Sequence, residues 1–208
     1  RGAATTLSAM ASLPLLLLPG LLCDERLWRE PAHALADVAP IHHADLTRDD
    51  SVAGMAARVL ASAPPVFALA ALSMGGYVAF EILRQAPQRV ARLALLDTSA
   101  RRDPPKRQLV RQAGLMLAEA GRFVGVTRKL LPQLVHESRV DDVVGEDVMA
   151  MAQRVGLPAF VRQQRAIIDR PDSEPLLPTI AVPTLLGVGE DDRMTLPEET
   201  HLMHERIP

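Results

Sequence analysis

Aromatic residues make up only 3% of this 208-residue chain, and its 23 Lys and Arg are outnumbered by 25 Asp and Glu. Holding nucleic acid takes a basic field against the phosphates and flat rings against the bases, so nucleic acid is set aside as a partner. The net charge of -2 likewise gives no attraction to an anionic membrane surface. Cysteine is scarcer still. Cys23 stands alone, which excludes an intrachain disulfide and any zinc site built around cysteines, and favours a cytoplasmic setting. Long apolar runs are also few. The densest, "LPLLLLPGLL" from Leu13, lies in a stretch without charge from Gly2 to Cys23, yet it is short and broken by Pro14, Pro19 and Gly20. That pattern suits a buried strand entering a glycine turn better than a signal-peptide core or a membrane helix. Residues 1–10 carry no such pattern and are expected to be disordered or foreign to the fold.

What remains is ordinary globular composition, enough for one domain over residues 11–208 with a single core. Apolar runs ending in turn residues occur at Leu13 to Leu18, Val66 to Leu72, Val90 to Leu96 and Val182 to Val188, with a weaker candidate between Val38 and Ala44. Runs of this kind read as strands buried on both faces of a parallel sheet. Helical spacing separates them: Ala53 to Ala61 before Pro64, and Gly76 to Ala86 before Pro87. Alternating strand and helix give an α/β fold with an open, mostly parallel sheet and helices on both faces. From about 101 to 170 the alternation gives way to helix-like segments. Leu109, Met116 and Leu117, then Val124, Leu130, Leu131 and Leu134, then Val148, Met151 and Val155, are expected to be their buried faces. The region reads as a helical lid inserted into the sheet domain.

The stretch "ALAALSMGGYVAF" from Ala68 sets Ser73 where a strand becomes a helix. A turn this sharp leaves room only for small residues two before and two after its apex, and Ala71 and Gly75 fill those positions. The pattern A-x-S-x-G makes Ser73 a candidate nucleophile. A serine capping the helix is the alternative.

Three blocks, "LLLLPGLLCDERLW", "ALSMGGYVAFEILRQAPQRVARLALLDTSAR" and "VPTLLGVGEDDRMTLPEE", together resemble the α/β-hydrolase fold family, in particular its small one-lid esterases and lactonases. The resemblance implies an oxyanion hole made by the backbone N–H groups of Leu21 and Met74, and an acid at Asp192 that orients a histidine. Asp97 is the fallback position for that acid, and Asp191 the neighbour that could be confused with it. No cofactor and no metal are implied.

A serine needs a base to lose its proton near neutral pH. In the family the histidine follows one more strand after the acid, whereas this sequence ends at "HLMHERIP". His201 and His204 read as surface residues of a helix, His42 and His43 follow the weak strand, His33 sits in a helix-like segment, and His136, in the lid, is the one that could dip toward a pocket. The pattern is expected of a chain that lacks the last strand, the last helix and the histidine, impaired as it stands and prone to self-association through the exposed edge of the strand at Val182 to Val188. The function expected is a serine hydrolase acting on a small-molecule ester or lactone through an acyl-enzyme. An acyltransferase, a C–C bond lyase, or a binding protein on an inactive scaffold would share the same residues. Arg170, in "RPDS", reads as a loop residue after the lid, with recognition of a substrate carboxylate as the alternative.

Overall fold

The computed structural model describes residues 12–208, so the expectation for residues 1–10 lies outside the described part. Five strands, β1 (Leu15–Leu18), β2 (Ile41–His43), β3 (Phe67–Leu72), β4 (Val90–Leu96) and β5 (Thr184–Gly187), form one sheet in the order β2-β1-β3-β4-β5. Every neighbouring pair is parallel. The α/β sheet read from the sequence is therefore present. β1 and β5 start a little later than their apolar runs, because Pro14 and Pro183 have no N–H to donate to a ladder and accept from Ala68 and Leu93 instead.

The core follows from the strand composition. In β1 Leu16, Leu17 and Leu18 are all buried, as an interior strand with covered faces requires. In β3 Phe67, Leu69 and Ala71 are buried, while the alternate positions are half-buried. Two helices cover one side: α2 (Val52–Ser62), started by the Ser51 hydroxyl accepting from the Gly54 N–H, and α3 (Met74–Gln85), almost wholly buried. Their contact surfaces carry Met55, Ala56 and Val59 in α2 and Val78, Ile82 and Leu83 in α3, all part of the central core. A short helix, α1 (Arg29–Ala34), precedes β2, and α6 (Pro197–Arg206) packs on β5, inserting Met203. β5 pairs with β4 alone among the described residues, and Leu185 in it is 63% exposed.

Between β4 and β5 the chain is helical: α4 (Pro105–Leu117), short turns, and the long α5 (Val143–Ile168), which is interrupted at Gly156 (φ 73°) just before Pro158. Leu131 and Met151 are buried as expected, but Leu109, Met116 and Leu117 are not, with Leu109 66% and Met116 70% exposed. Val124 and Leu134 are exposed as well. In α4 the inward stripe is instead Gln108, Arg111 and Leu115. The cause is Asp103, buried just before the helix: Arg111 pairs with it, Gln108 donates to its carbonyl, and Arg170 reaches it from beyond α5. A buried carboxylate must be paired, and pairing it turns the polar side of α4 inward and the apolar side out.

Candidate functional site

All the loops that carry candidate residues leave the same, C-terminal, edge of the parallel sheet. Where β3 passes into α3, Ser73 adopts φ 52° and ψ -114°, a conformation that costs a residue with a Cβ about 1–3 kcal/mol. The neighbourhood holds it there. The Ser73 N–H donates to Leu96 O at 3.0 Å, and its carbonyl accepts from the Gly76 N–H at 2.9 Å and from Thr98 Oγ1 at 2.7 Å. Gly75 and Gly76 have no room for a side chain. A Cβ on Gly75 would overlap Leu18 O and lie 2.9 Å from Pro19 O; one on Gly76 would overlap the Thr98 side chain. These contacts are why the second and third residues after the serine carry no side chain. The Ser73 hydroxyl itself makes no hydrogen bond among the described residues, and Ser73 does not cap α3 with its side chain.

The turn after β1 faces the serine. A Cβ placed on Gly20 would be 3.5 Å from that of Ser73. Gly20 O accepts from the Cys23 N–H at 3.2 Å, and the trans peptide sends the Leu21 N–H in the opposite direction. Leu22 sits at φ 59°, and its N–H donates to Oε1 of Gln163 in α5 at 3.1 Å. The turn thus spends the amides of Leu22 and Cys23, and among the described residues neither the Leu21 nor the Met74 amide is drawn into a hydrogen bond of the turn or elbow. Burial, with the Asp24 charge adding to it, pushes the Cys23 thiol up to about 12. It stays a protonated, inert group beside the turn.

At the ends of β4 and β5 two acids meet. Asp97, at φ 44°, accepts the Gly189 N–H on Oδ1 at 2.9 Å, and its carboxyl lies beside that of Asp192. Burial raises the Asp97 carboxyl above the usual carboxylate range; the Asp192 carboxyl pushes the same way and the Gly189 amide the other. Asp192 accepts the N–H groups of Met194 and Thr195 on Oδ1 at 2.7 and 2.9 Å, which fixes its rotamer. Asp191, by contrast, has a side chain 79% exposed, with His136 Nε2 at 3.9 Å. The acid read as Asp192 and its fallback Asp97 are therefore one cluster, and Asp191 stands outside it.

Of the six histidines only His136 comes near the acids, reaching Asp191 but not Asp192, and the other five are elsewhere. His33 is in α1, His42 and His43 are in β2, and His201 and His204 are in α6. Among the described residues no histidine is hydrogen-bonded to Ser73 or to Asp192. Arg170 reads no ligand: its side chain is 5% exposed, hydrogen-bonded to Asp103 and to the carbonyls of Ile167 and Arg101, and stacked 4.1 Å over the Tyr77 ring. Thr98 and Gln163 escaped the sequence reading. Gln163 shares a buried stripe of α5 with Ala159, Ala166 and Ile167, and a polar residue at that apolar spacing is the signal that could have found it. Nothing in "DTSA" marks Thr98. No group of three or more His, Cys, Asp or Glu suited to a metal occurs among the described residues. No helix among them is long and apolar enough to cross a membrane.

Comparison with known proteins agrees with this fold. A family model described as Serine aminopeptidase, S33 matches residues 41–208. Pimeloyl-[acyl-carrier protein] methyl ester esterase of Neisseria meningitidis serogroup A is 30% identical over 148 residues, covering 65% of this chain and 45% of the relative. The protein of the same name from a serogroup B strain is also 30% identical, with 54% of it covered, so the chain spans about half the length of the curated relatives it matches. Among solved structures, a thermophilic esterase from Thermogutta terrifontis superimposes with a TM-score of 0.81 at 28% identity, over 95% of this chain and 79% of that one. The enol-lactonase of Burkholderia xenovorans LB400 gives the same TM-score at 20% identity, over 94% of this chain and 80% of its own, a likeness of fold. The chain belongs to the α/β-hydrolases, in the family described as Serine aminopeptidase, S33.

Proposed function

We propose that the protein is a serine hydrolase of small-molecule carboxylic esters or lactones, working through an acyl-enzyme on Ser73. The observation that carries this reading is the strained backbone of Ser73, φ 52° and ψ -114°, at a turn whose neighbours leave no room for a side chain on Gly75 or Gly76. A helix cap needs no such strain, and a strained residue at a strand end is worth its cost where it presents a reactive group.

In this reading Ser73 Oγ attacks the ester carbonyl carbon as a histidine takes its proton. The carbonyl oxygen, now negative, is held by the Leu21 and Met74 amides at the N-terminal end of α3, where the helix dipole adds to the stabilisation. The tetrahedral adduct collapses, the alcohol leaves with the proton returned by the histidine, and water then repeats the sequence on the acyl-serine. Asp192 orients that histidine. The base itself is proposed to come from outside these 208 residues, since the Thermogutta terrifontis esterase has a fifth of its chain without a counterpart in this one. The helical segment 101–170 would act as the lid over the acyl site. An ester substrate is supported by relatives whose name specifies a methyl ester.

Treating the full-length protein with a fluorophosphonate and mapping the adduct by peptide mass spectrometry tests the assignment. Ser73 is expected to carry the label, and Ser73→Ala to lose both label and hydrolysis of p-nitrophenyl butyrate. Label on another residue, or hydrolysis that survives in Ser73→Ala, would refute it.

A further inference from the structure

Gln163 is wholly buried, and both ends of its side-chain amide are used. Oε1 accepts the Leu22 N–H at 3.1 Å, in the turn after β1, and Nε2 donates to Leu46 O at 3.1 Å, in the loop after β2. One side chain from α5 therefore ties together two loops at the C-terminal edge of the sheet. The rest of α5 follows the same course: Arg154 pairs with Asp24 at 2.7 Å, Asp147 with Arg26, and Arg162 donates to Thr47 O at 2.8 Å. These other contacts lie at the half-exposed rim, whereas Gln163 alone reaches the buried turn.

The turn needs such a hold. Leu22 has φ 59°, a conformation unfavourable for a residue with a branched side chain, and an amide freed there would be buried without a partner. The Leu21–Leu22 peptide is gripped at both ends, its N–H by Gln163 and its C=O by the Cys23 thiol at 3.5 Å. The next peptide toward the N-terminus carries the Leu21 N–H. With Gly20 O held by Cys23 and the Leu21–Leu22 plane held by Gln163, few torsions remain through which the Leu21 N–H could swing.

We infer that Gln163 is a positioning residue: it fixes the aim of the Leu21 amide toward the carbonyl oxygen of a substrate on Ser73, and so makes α5 part of the oxyanion site. This rests on the proposed role of Leu21. An oxyanion donor acts through its geometry in the transition state, so mis-aiming it lowers kcat more than it raises KM.

The test compares Gln163→Met, which keeps the volume and removes both hydrogen bonds, with Gln163→Glu, which keeps an acceptor oxygen at the same reach. The full-length protein is assayed on p-nitrophenyl butyrate, and amide exchange at Leu22 is followed by NMR. In the wild type the Leu22 amide is expected to be strongly protected. Gln163→Met should speed its exchange at least about tenfold and lower kcat about tenfold or more with KM within about twofold, short of the loss when an oxyanion donor is removed outright. Gln163→Glu, whose carboxyl this buried site keeps protonated so that it still accepts from Leu22 and donates to Leu46 O, should recover most of kcat. Unprotected Leu22 in the wild type, or normal kcat in Gln163→Met despite faster Leu22 exchange, would overturn the inference. Fluorophosphonate labelling of Ser73 in the wild type separates the two failures: without it the assignment of Ser73 falls, whereas labelling with an unaltered rate in Gln163→Met removes only the role of Gln163.

Discussion

Replacing Ser73 by glycine should stabilise the protein while abolishing any reaction at this position. Strain at φ 52° and ψ -114° arises from the Cβ, and is relieved by about 1–3 kcal/mol when the Cβ is removed. Glycine returns part of this, about 0.5–1 kcal/mol, through its greater freedom in the unfolded chain. The hydroxyl has no partner among the described residues, so its loss leaves nothing unsatisfied. Ser73→Ala removes the hydroxyl but keeps the Cβ and is expected within about 0.5 kcal/mol of wild type. Ser73→Gly should exceed Ser73→Ala by about 1 kcal/mol, a rise in Tm of roughly 2–4 °C for a domain of this size. Urea unfolding followed by far-UV circular dichroism, with equal m-values, measures the difference directly. Because neither variant carries a hydroxyl, the comparison isolates the strain. Equal stability of the two would mean that the elbow is not strained in solution and would remove the main support for Ser73 as a nucleophile.

Gly75→Ala should cost at least about 2 kcal/mol in the same assay, since the new Cβ meets main-chain oxygens of Leu18 and Pro19 that cannot turn aside. Asp103→Ala should cost about 3 kcal/mol by leaving the Arg170 guanidinium buried without its carboxylate, and should free α4 to become protease-sensitive. Burial opposes ionisation of Asp103, yet Arg170 and Arg111 hold it below the usual range, so its contribution fades as acid protonates it through that lowered value. Asp97 has the opposite sign. Its carboxyl is raised in the folded state, so the stability linked to its proton is full below 3.8, the unfolded value, and is lost as pH rises through the folded value. Asp97→Asn, which can still accept from Gly189 and can donate to Asp192, should therefore stabilise more at pH 7 than at pH 4. Urea titrations at both values check this, and an equal effect at the two would count against the shared environment of the two acids.

Much of this molecule is legible in its sequence, for reasons that differ by element. β1 was legible because a strand covered on both faces has to be a continuous apolar run, and Pro19 with Gly20 ended it. The elbow was legible because close approach of α3 to β1 and to Thr98 permits only glycine at 75 and 76, so sterics leave a mark in the letters. The orientation of α4 was not. Its apolar residues have helical spacing, but Asp103 recruits Arg111 inward, and a buried ion pair with a partner as distant as Arg170 outweighs that pattern. The sequence offers Asp97 and Asp192 only as alternatives, whereas parallel neighbours bring the ends of β4 and β5 side by side. Gln163 and Thr98 act through main-chain partners more than twenty positions away, and a main-chain partner has no identity to read.

The hydrogen-bond ladder does not stop where the strands do. Ser73 donates to Leu96 O one residue beyond β3, and Asp97 donates to Gly187 O one residue beyond β4. The serine and the acid cluster are thus successive rungs, stitched to each other by the same bonds that hold the sheet. Such a construction has no soft joint between them, so neither can drift while the sheet persists. On the proposed role of Ser73, heating should abolish its fluorophosphonate labelling and melt the β-structure at one temperature, with no interval in which a folded sheet carries a displaced serine.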